Sequence, residues 1–166
     1  MKDSKSNIKV FNPKKSIKRA SGTVTKNGGS VIITSCHRYE WSNSMERVEL
    51  IRRGLPYESI EVLSSRADLS IKNLLTILSI PQTTYNKKKK DSDKLDGRDS
   101  EIILVLTEVL DFGIRVFDNE KEKFHRWLKK PNISLGGVTP ESLFDSLTGI
   151  QEVKKALNRI EYGNFA

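Results

Sequence analysis

Residues 69–90 read LSIKNLLTILSIPQTTYNKKKK, and this stretch decides the fold. Ser70 offers a capping hydroxyl, after which Ile71, Leu74, Leu75 and Leu78 fall on one helical face. Ser79-Ile80-Pro81 breaks that helix, because Pro81 has no amide hydrogen to donate and biases Ile80 away from helical geometry. The same proline suits the first turn of a new helix, Gln82 to Lys90. A short helix, a tight break and a second short helix carrying polar and then basic residues is the layout of a helix-turn-helix.

Upstream, Ile60, Leu63 and Ala67 repeat at helical spacing after Pro56. Before them a helix is expected from Ser44, whose hydroxyl is placed to cap it, through Met45, Val48 and Ile51 to a stop at Gly54. The first 30 residues are rich in Lys, Ser, Asn and Gly and have no sustained apolar period, so they read as a mobile basic arm, with at most one short strand at Val31 to Ser35.

Downstream, Asp99 or Ser100 is placed to cap a helix that is apolar on most sides, from Ile102 to Phe117. Such a helix is buried centrally or shared with a second subunit. Phe124, Trp127 and Leu128 stripe a further short helix, and His125 beside them reads as solvated. Thr139-Pro140 signals another helix start, with Gly149 as its stop, and a last helix carries Ile150, Val153, Leu157 and Ile160 to Gly163. The expected architecture is all-α. It comprises a basic, mostly flexible arm (1–43), a helix-turn-helix DNA-binding region (44–98) and a small helical domain (99–166).

The chain has 166 residues, of which 36% are apolar, and its longest apolar run, Ile102 to Leu106, is far too short to cross a bilayer. Its 29 basic and 21 acidic residues give a net +8. Residues 1–90 hold 18 basic and 7 acidic side chains (+11), whereas residues 91–166 hold 11 and 14 (−3). The basic half is suited to a polyanion. One cysteine, Cys36, cannot form an internal disulfide, and no secretory leader is evident, so a reducing cytoplasm is expected. Cys36, His37 and His125 are too few for a zinc cluster, and no catalytic triad is apparent. Gly136-Gly137 is not a phosphate loop, because neither a preceding strand nor a following Lys-Ser/Thr pair is present. An enzyme, a cofactor and a bound metal are therefore not expected.

On the second helix of the helix-turn-helix, Gln82, Thr83, Thr84 and Asn86 are the candidate base readers, since Gln and Asn pair bidentately with adenine and Thr offers a hydroxyl and a methyl. Lys87, Lys88, Lys89 and Lys90 suit phosphates, and Tyr85 is the helix's core anchor. The four lysines are equally at home as a solvated helix end, where cations complement the dipole. Lys14, Lys15, Lys18 and Arg19 form the densest cluster of the arm.

The C-terminal third carries residues that periodicity does not require. Trp127-Leu128, Pro131-Asn132, Leu135-Gly136-Gly137, Thr139-Pro140, Gly149 and Arg159-Ile160-Glu161-Tyr162-Gly163-Asn164-Phe165-Ala166 stand in this order. WLKKPNISLGGVTPESL followed by RIEYGNFA resembles the toxin-binding domain of the Xre/MbcA/ParS family of type II antitoxins, and the likeness extends over about residues 54–166. Asn164 stands where that family more often has an apolar residue, and Ser79 where its turn more often has glycine. The resemblance implies an antitoxin with an Xre-type helix-turn-helix and a RES-domain toxin that depletes NAD⁺ as its partner. It also implies that the complex binds its own promoter and represses it. A dyad-symmetric operator would require a homodimer, within the larger toxin-antitoxin complex, and the helix from Ile102 to Phe117 is the candidate for part of that contact. By position it assigns occlusion of the toxin's active site to Arg159, Glu161, Tyr162, Gly163, Asn164, Phe165 and Ala166.

Physical chemistry supports the same segment. Gly163 can turn left-handed and redirect the chain, Arg159 offers a planar fork of donors, and Tyr162 and Phe165 are the aromatic type that dominates interfaces. The opposite arrangement, with both rings folded back over the helix and Arg159 paired with Glu161, remains open at this point. So does a stand-alone helix-turn-helix repressor whose C-terminal domain only dimerises. Either way the protein is expected in the cytoplasm, at the nucleoid when bound to DNA.

Overall fold

The computed structural model describes residues 29–163. A short hairpin, β1 (Ser30–Ile33) and β2 (Arg38–Trp41), precedes the helices α1 (Ser44–Arg53), α2 (Ser59–Ala67), α3 (Ile71–Leu78), α4 (Gln82–Lys90), α5 (Gly97–Val116), α6 (Lys121–Leu128) and α7 (Leu147–Tyr162). Two 3-10 turns, Ile133–Leu135 and Pro140–Leu143, lie between α6 and α7. The all-α expectation holds apart from the hairpin.

α5 is the axis of the molecule. Ile102, Ile103, Leu104, Leu106, Val109 and Leu110 are all buried along it, and it packs against α1, α2 and α7. One continuous core therefore runs from Ile32 and Trp41 through the helix-turn-helix to Val153 and Leu157. The helix expected to be buried centrally or shared with a second subunit is covered by its own chain.

The hairpin corrects the reading of residues 1–43 as a mostly flexible arm over its last part. β1 and β2 pair antiparallel with Ser30 opposite Trp41 and Ile33 opposite Arg38, and the alternation buries Ile32 and Trp41. A two-stranded hairpin is marginal by itself. Here polar groups of the helices clamp it. Trp41 Nε1 donates to Glu108 Oε1 (2.7 Å), Arg47 Nη1 meets the same carboxylate, and Arg66 Nη2 donates to the Val31 carbonyl (2.8 Å). The cluster Lys14, Lys15, Lys18 and Arg19 lies outside the described residues.

Several helix ends differ from expectation. The side chain of Asn43, not Ser44, caps α1 by accepting from the Met45 and Glu46 amides. Asp96 caps α5 through the Asp99 amide (2.8 Å), which leaves Asp99 and Ser100 inside the first turn; the buried Ser100 hydroxyl accepts from the Leu55 amide (3.0 Å). Thr139 makes no side-chain cap, and the Pro140 segment closes after a single 3-10 turn. Gly149 stops nothing: it sits in the first turn of α7, where a Cβ would stand 2.1 Å from the Leu143 carbonyl oxygen. That close approach, rather than termination, is why glycine is needed. His125, expected in solvent, is half-buried with Nε2 3.1 Å from the Arg66 carbonyl oxygen. No helix among the described residues is long and apolar enough to cross a membrane.

Candidate functional site

Two surfaces collect the residues singled out by the sequence. The first is α4. Ser79 ends α3 in the left-handed conformation (φ 57°), and the Ile80 amide returns to the Leu75 carbonyl (2.9 Å), so the turn closes without glycine. α4 then starts directly after Pro81. Tyr85 is its only buried residue; the phenol donates to Glu61 Oε1 (3.2 Å), and its ring lies 6.3 Å from that of Tyr57. Burial first, and then the charge of Glu61, push the Tyr85 phenol up to about 12, so it stays a neutral donor at any physiological pH. α2 and α4 are thereby locked together.

Gln82, Thr83 and Asn86 are exposed and Thr84 is half-buried. Gln82 Nε2 donates to Asn86 Oδ1 (3.0 Å), one turn along the same face. The bond leaves the Gln82 carbonyl free to accept and the Asn86 amide nitrogen free to donate, the combination an adenine edge requires. The four lysines are not equivalent. Lys88 is paired with Asp93 and Lys89 with Glu61, while Lys87 and Lys90 are exposed and make no ion pair among the described residues. Its hydrogen bond with Asp93 holds the Lys88 ammonium above its ordinary range, and the same bond holds the Asp93 carboxyl below its own. Sequence reasoning missed Glu61 and Asp93. Asp93 lies five residues beyond Lys88 and outside the helix, and Glu61 reaches Lys89 from α2, so no helical spacing announces either.

The second surface is the end of α7. Gly163 adopts the left-handed conformation (φ 69°), with its amide directed at the Arg159 and Ile160 carbonyls. Arg159, Glu161, Tyr162 and Gly163 are all exposed, Tyr162 to 65%. Arg159 and Glu161 form no ion pair among the described residues, and the tyrosine ring does not fold back into the core. Asn164, Phe165 and Ala166 lie outside the described residues. Ahead of α7, Asn132 to Val138 form a closed loop, and Gly136 and Gly137 (φ 75° and 80°) turn it. Phe124 and Trp127 belong mainly to the core beneath. Phe124 is fully buried against Gly113, where a Cβ would stand 2.2 Å from its ring, and Trp127 is half-buried beside it. No group of residues among those described is arranged to hold a metal ion.

The model of the antitoxin Xre-like helix-turn-helix domain matches residues 46–106, and that of the antitoxin Xre/MbcA/ParS C-terminal toxin-binding domain matches residues 113–163. The chain belongs to the Xre/MbcA/ParS antitoxins. Antitoxin Xre of Photorhabdus laumondii is 28% identical over 114 residues, covering 69% of this chain and 77% of its own length. Antitoxin Xre of Yersinia enterocolitica is 26% identical over 119 residues, or 72% of this chain and 80% of that one. A Sphingobium protein named Prs ADP-ribosylating antitoxin is 26% identical over 133 residues, or 75% and 84%. In this Xre/MbcA/ParS antitoxin both matched regions run into α5, so the long central helix is shared between the helix-turn-helix and toxin-binding parts.

Proposed function

We propose that this antitoxin silences a RES-domain toxin that consumes NAD⁺, by seating the segment from Arg159 to Ala166 in the toxin's active site. We further propose that the complex represses its own operon through α4. The observation that carries the first part is the exposure of Arg159, Glu161 and Tyr162 at a helix end that Gly163 turns away. An exposed helix end with a guanidinium, a carboxylate and an aromatic ring suits a concave site. The name of the Sphingobium relative supports an NAD⁺-consuming partner, since ADP-ribosyl transfer uses NAD⁺ as donor. The match of residues 113–163 to a toxin-binding domain favours this reading over a stand-alone repressor. The protein itself acts by occupying a site, with no chemistry of its own, and it works in the cytoplasm.

For DNA, Gln82, Thr83, Thr84 and Asn86 face the bases, and Lys87 and Lys90 take phosphates. A dyad operator calls for two copies. Because the apolar positions of α5 are buried or half-buried within one chain, the contact between copies uses other faces. Changing both Lys87 and Lys90 to Gln should flatten the dependence of log K on log salt by roughly 0.9 per lost contact. Changing Lys88 and Lys89 should flatten it less, because Asp93 and Glu61 already neutralise them. Filter binding across a salt series reads this directly, and an unchanged slope for the first pair would remove α4 from the phosphate contacts. Coexpression with the product of the adjacent reading frame tests the antitoxin role: growth and NAD⁺ are restored if the proposal holds and stay depressed if it does not.

A further inference from the structure

We infer that the rigid loop from Asn132 to Val138 is a second anchor for the same toxin, with Ile133 as the side chain that the toxin buries. This rests on the proposed function above. Within the matched toxin-binding region the large apolar side chains left in water are Ile133 (95% exposed), Tyr162 (65%) and Val138 (42%). Tyr162 belongs to the tail. The other two share one loop.

The loop is built to hold them still. The Asn132 amide donates to the Val138 carbonyl (3.0 Å), and the Gly137 amide returns to the Asn132 carbonyl (2.9 Å). The Asn132 side-chain oxygen accepts from both the amide and the hydroxyl of Ser134 (2.9 Å each). Leu135 points the other way, into the core, and the turn packs on α7, the helix that carries the tail. Loop and tail are thus borne by one rigid unit. A preorganised apolar knob loses little entropy on binding, which is the condition for an interface anchor.

Gly136 and Gly137 complete the arrangement. A Cβ at either would meet nothing within 4 Å, so neither glycine is there to relieve crowding in this chain. Their positive φ shapes the turn, and their lack of side chains leaves the ground beside Ile133 bare, so a partner surface can close on it. Ile133 supports nothing in the folded chain, and its replacement leaves the fold intact.

The test uses the full chain and a catalytically inactive form of the toxin encoded beside it, with affinity measured by calorimetry. Ile133→Asp is expected to weaken binding about tenfold or more, Val138→Asp less, and Ile133→Leu to bind within about threefold of the unchanged chain. Melting temperatures of all three should match the unchanged protein. If Ile133→Asp binds as tightly as the unchanged chain, the loop is not an anchor, while the tail reading stands. If Ile133→Asp abolishes self-association of the antitoxin and leaves toxin affinity untouched, the loop faces a second copy and the inference is overturned. If the unchanged chain itself does not bind the toxin, the proposed function fails and the inference goes with it.

Discussion

A chain ending at Asn158 should fold and bind operator DNA as the intact antitoxin does, yet leave cells unprotected against the toxin. The truncation removes Arg159, Glu161 and Tyr162, all exposed, together with the half-buried Ile160 and the residues beyond. What anchors α7 to the core, Ile150, Val153, Ala156 and Leu157, is retained. Losing Ile160 costs about 1 kcal/mol of burial, against the ~5–15 kcal/mol by which domains are typically stable. On the proposed mechanism protection comes from filling the toxin's active site, and the residues proposed to fill it are gone. The loop at Ile133 would still let the shortened chain adhere, so weak binding without inhibition is expected, with NAD⁺ falling as it does with no antitoxin at all. Full protection by the shortened chain would show that the tail is not the inhibitor.

Trp41→Ala should be the most damaging single substitution in the N-terminal part. Trp41 is 2% exposed, and its indole donates to Glu108 on the central helix. Truncating a buried aromatic of this size costs about 3–5 kcal/mol, through lost burial and the cavity left behind. Glu108 keeps Arg47 as a partner and so is not stranded. A comparable truncation at Met45, 70% exposed on the next helix, should stay within about 0.5 kcal/mol. Urea unfolding of the two variants decides the matter. A loss under about 1 kcal/mol for Trp41→Ala would mean that the hairpin is an ornament rather than part of the core.

The helix-turn-helix was legible because its signals are local. Ser70, the Leu74-Leu75-Leu78 stripe and Pro81 each act within one turn, and α4 runs over Gln82–Lys90 as read. The hairpin was not legible. Its strands have four residues each, and what holds them is a set of contacts from Glu108, Arg47 and Arg66, far away in sequence. Gly149 misled for a related reason: a glycine near a helix boundary reads as a stop, whereas its role is to admit the Leu143 carbonyl, a tertiary fact. On the face proposed for DNA, residue types located the helix, but which lysines are free of ion pairs depends on Glu61 and Asp93, which only the fold brings near. The toxin-binding part was legible through an unusual order of residues rather than through periodicity. Its motif residues include the loop at Asn132 to Val138 but give no hint that Ile133 stands almost wholly in water.

The proposed division of labour, DNA on α4 and toxin on the end of the molecule that carries α7, is best tested by amide hydrogen exchange on the full chain alone, with an operator duplex, and with inactive toxin. DNA is expected to slow exchange in residues 71–90, and toxin in 131–138 and the last turn of α7. Toxin protection confined to residues 71–90, with the C-terminal segment exchanging as in the free protein, would contradict it.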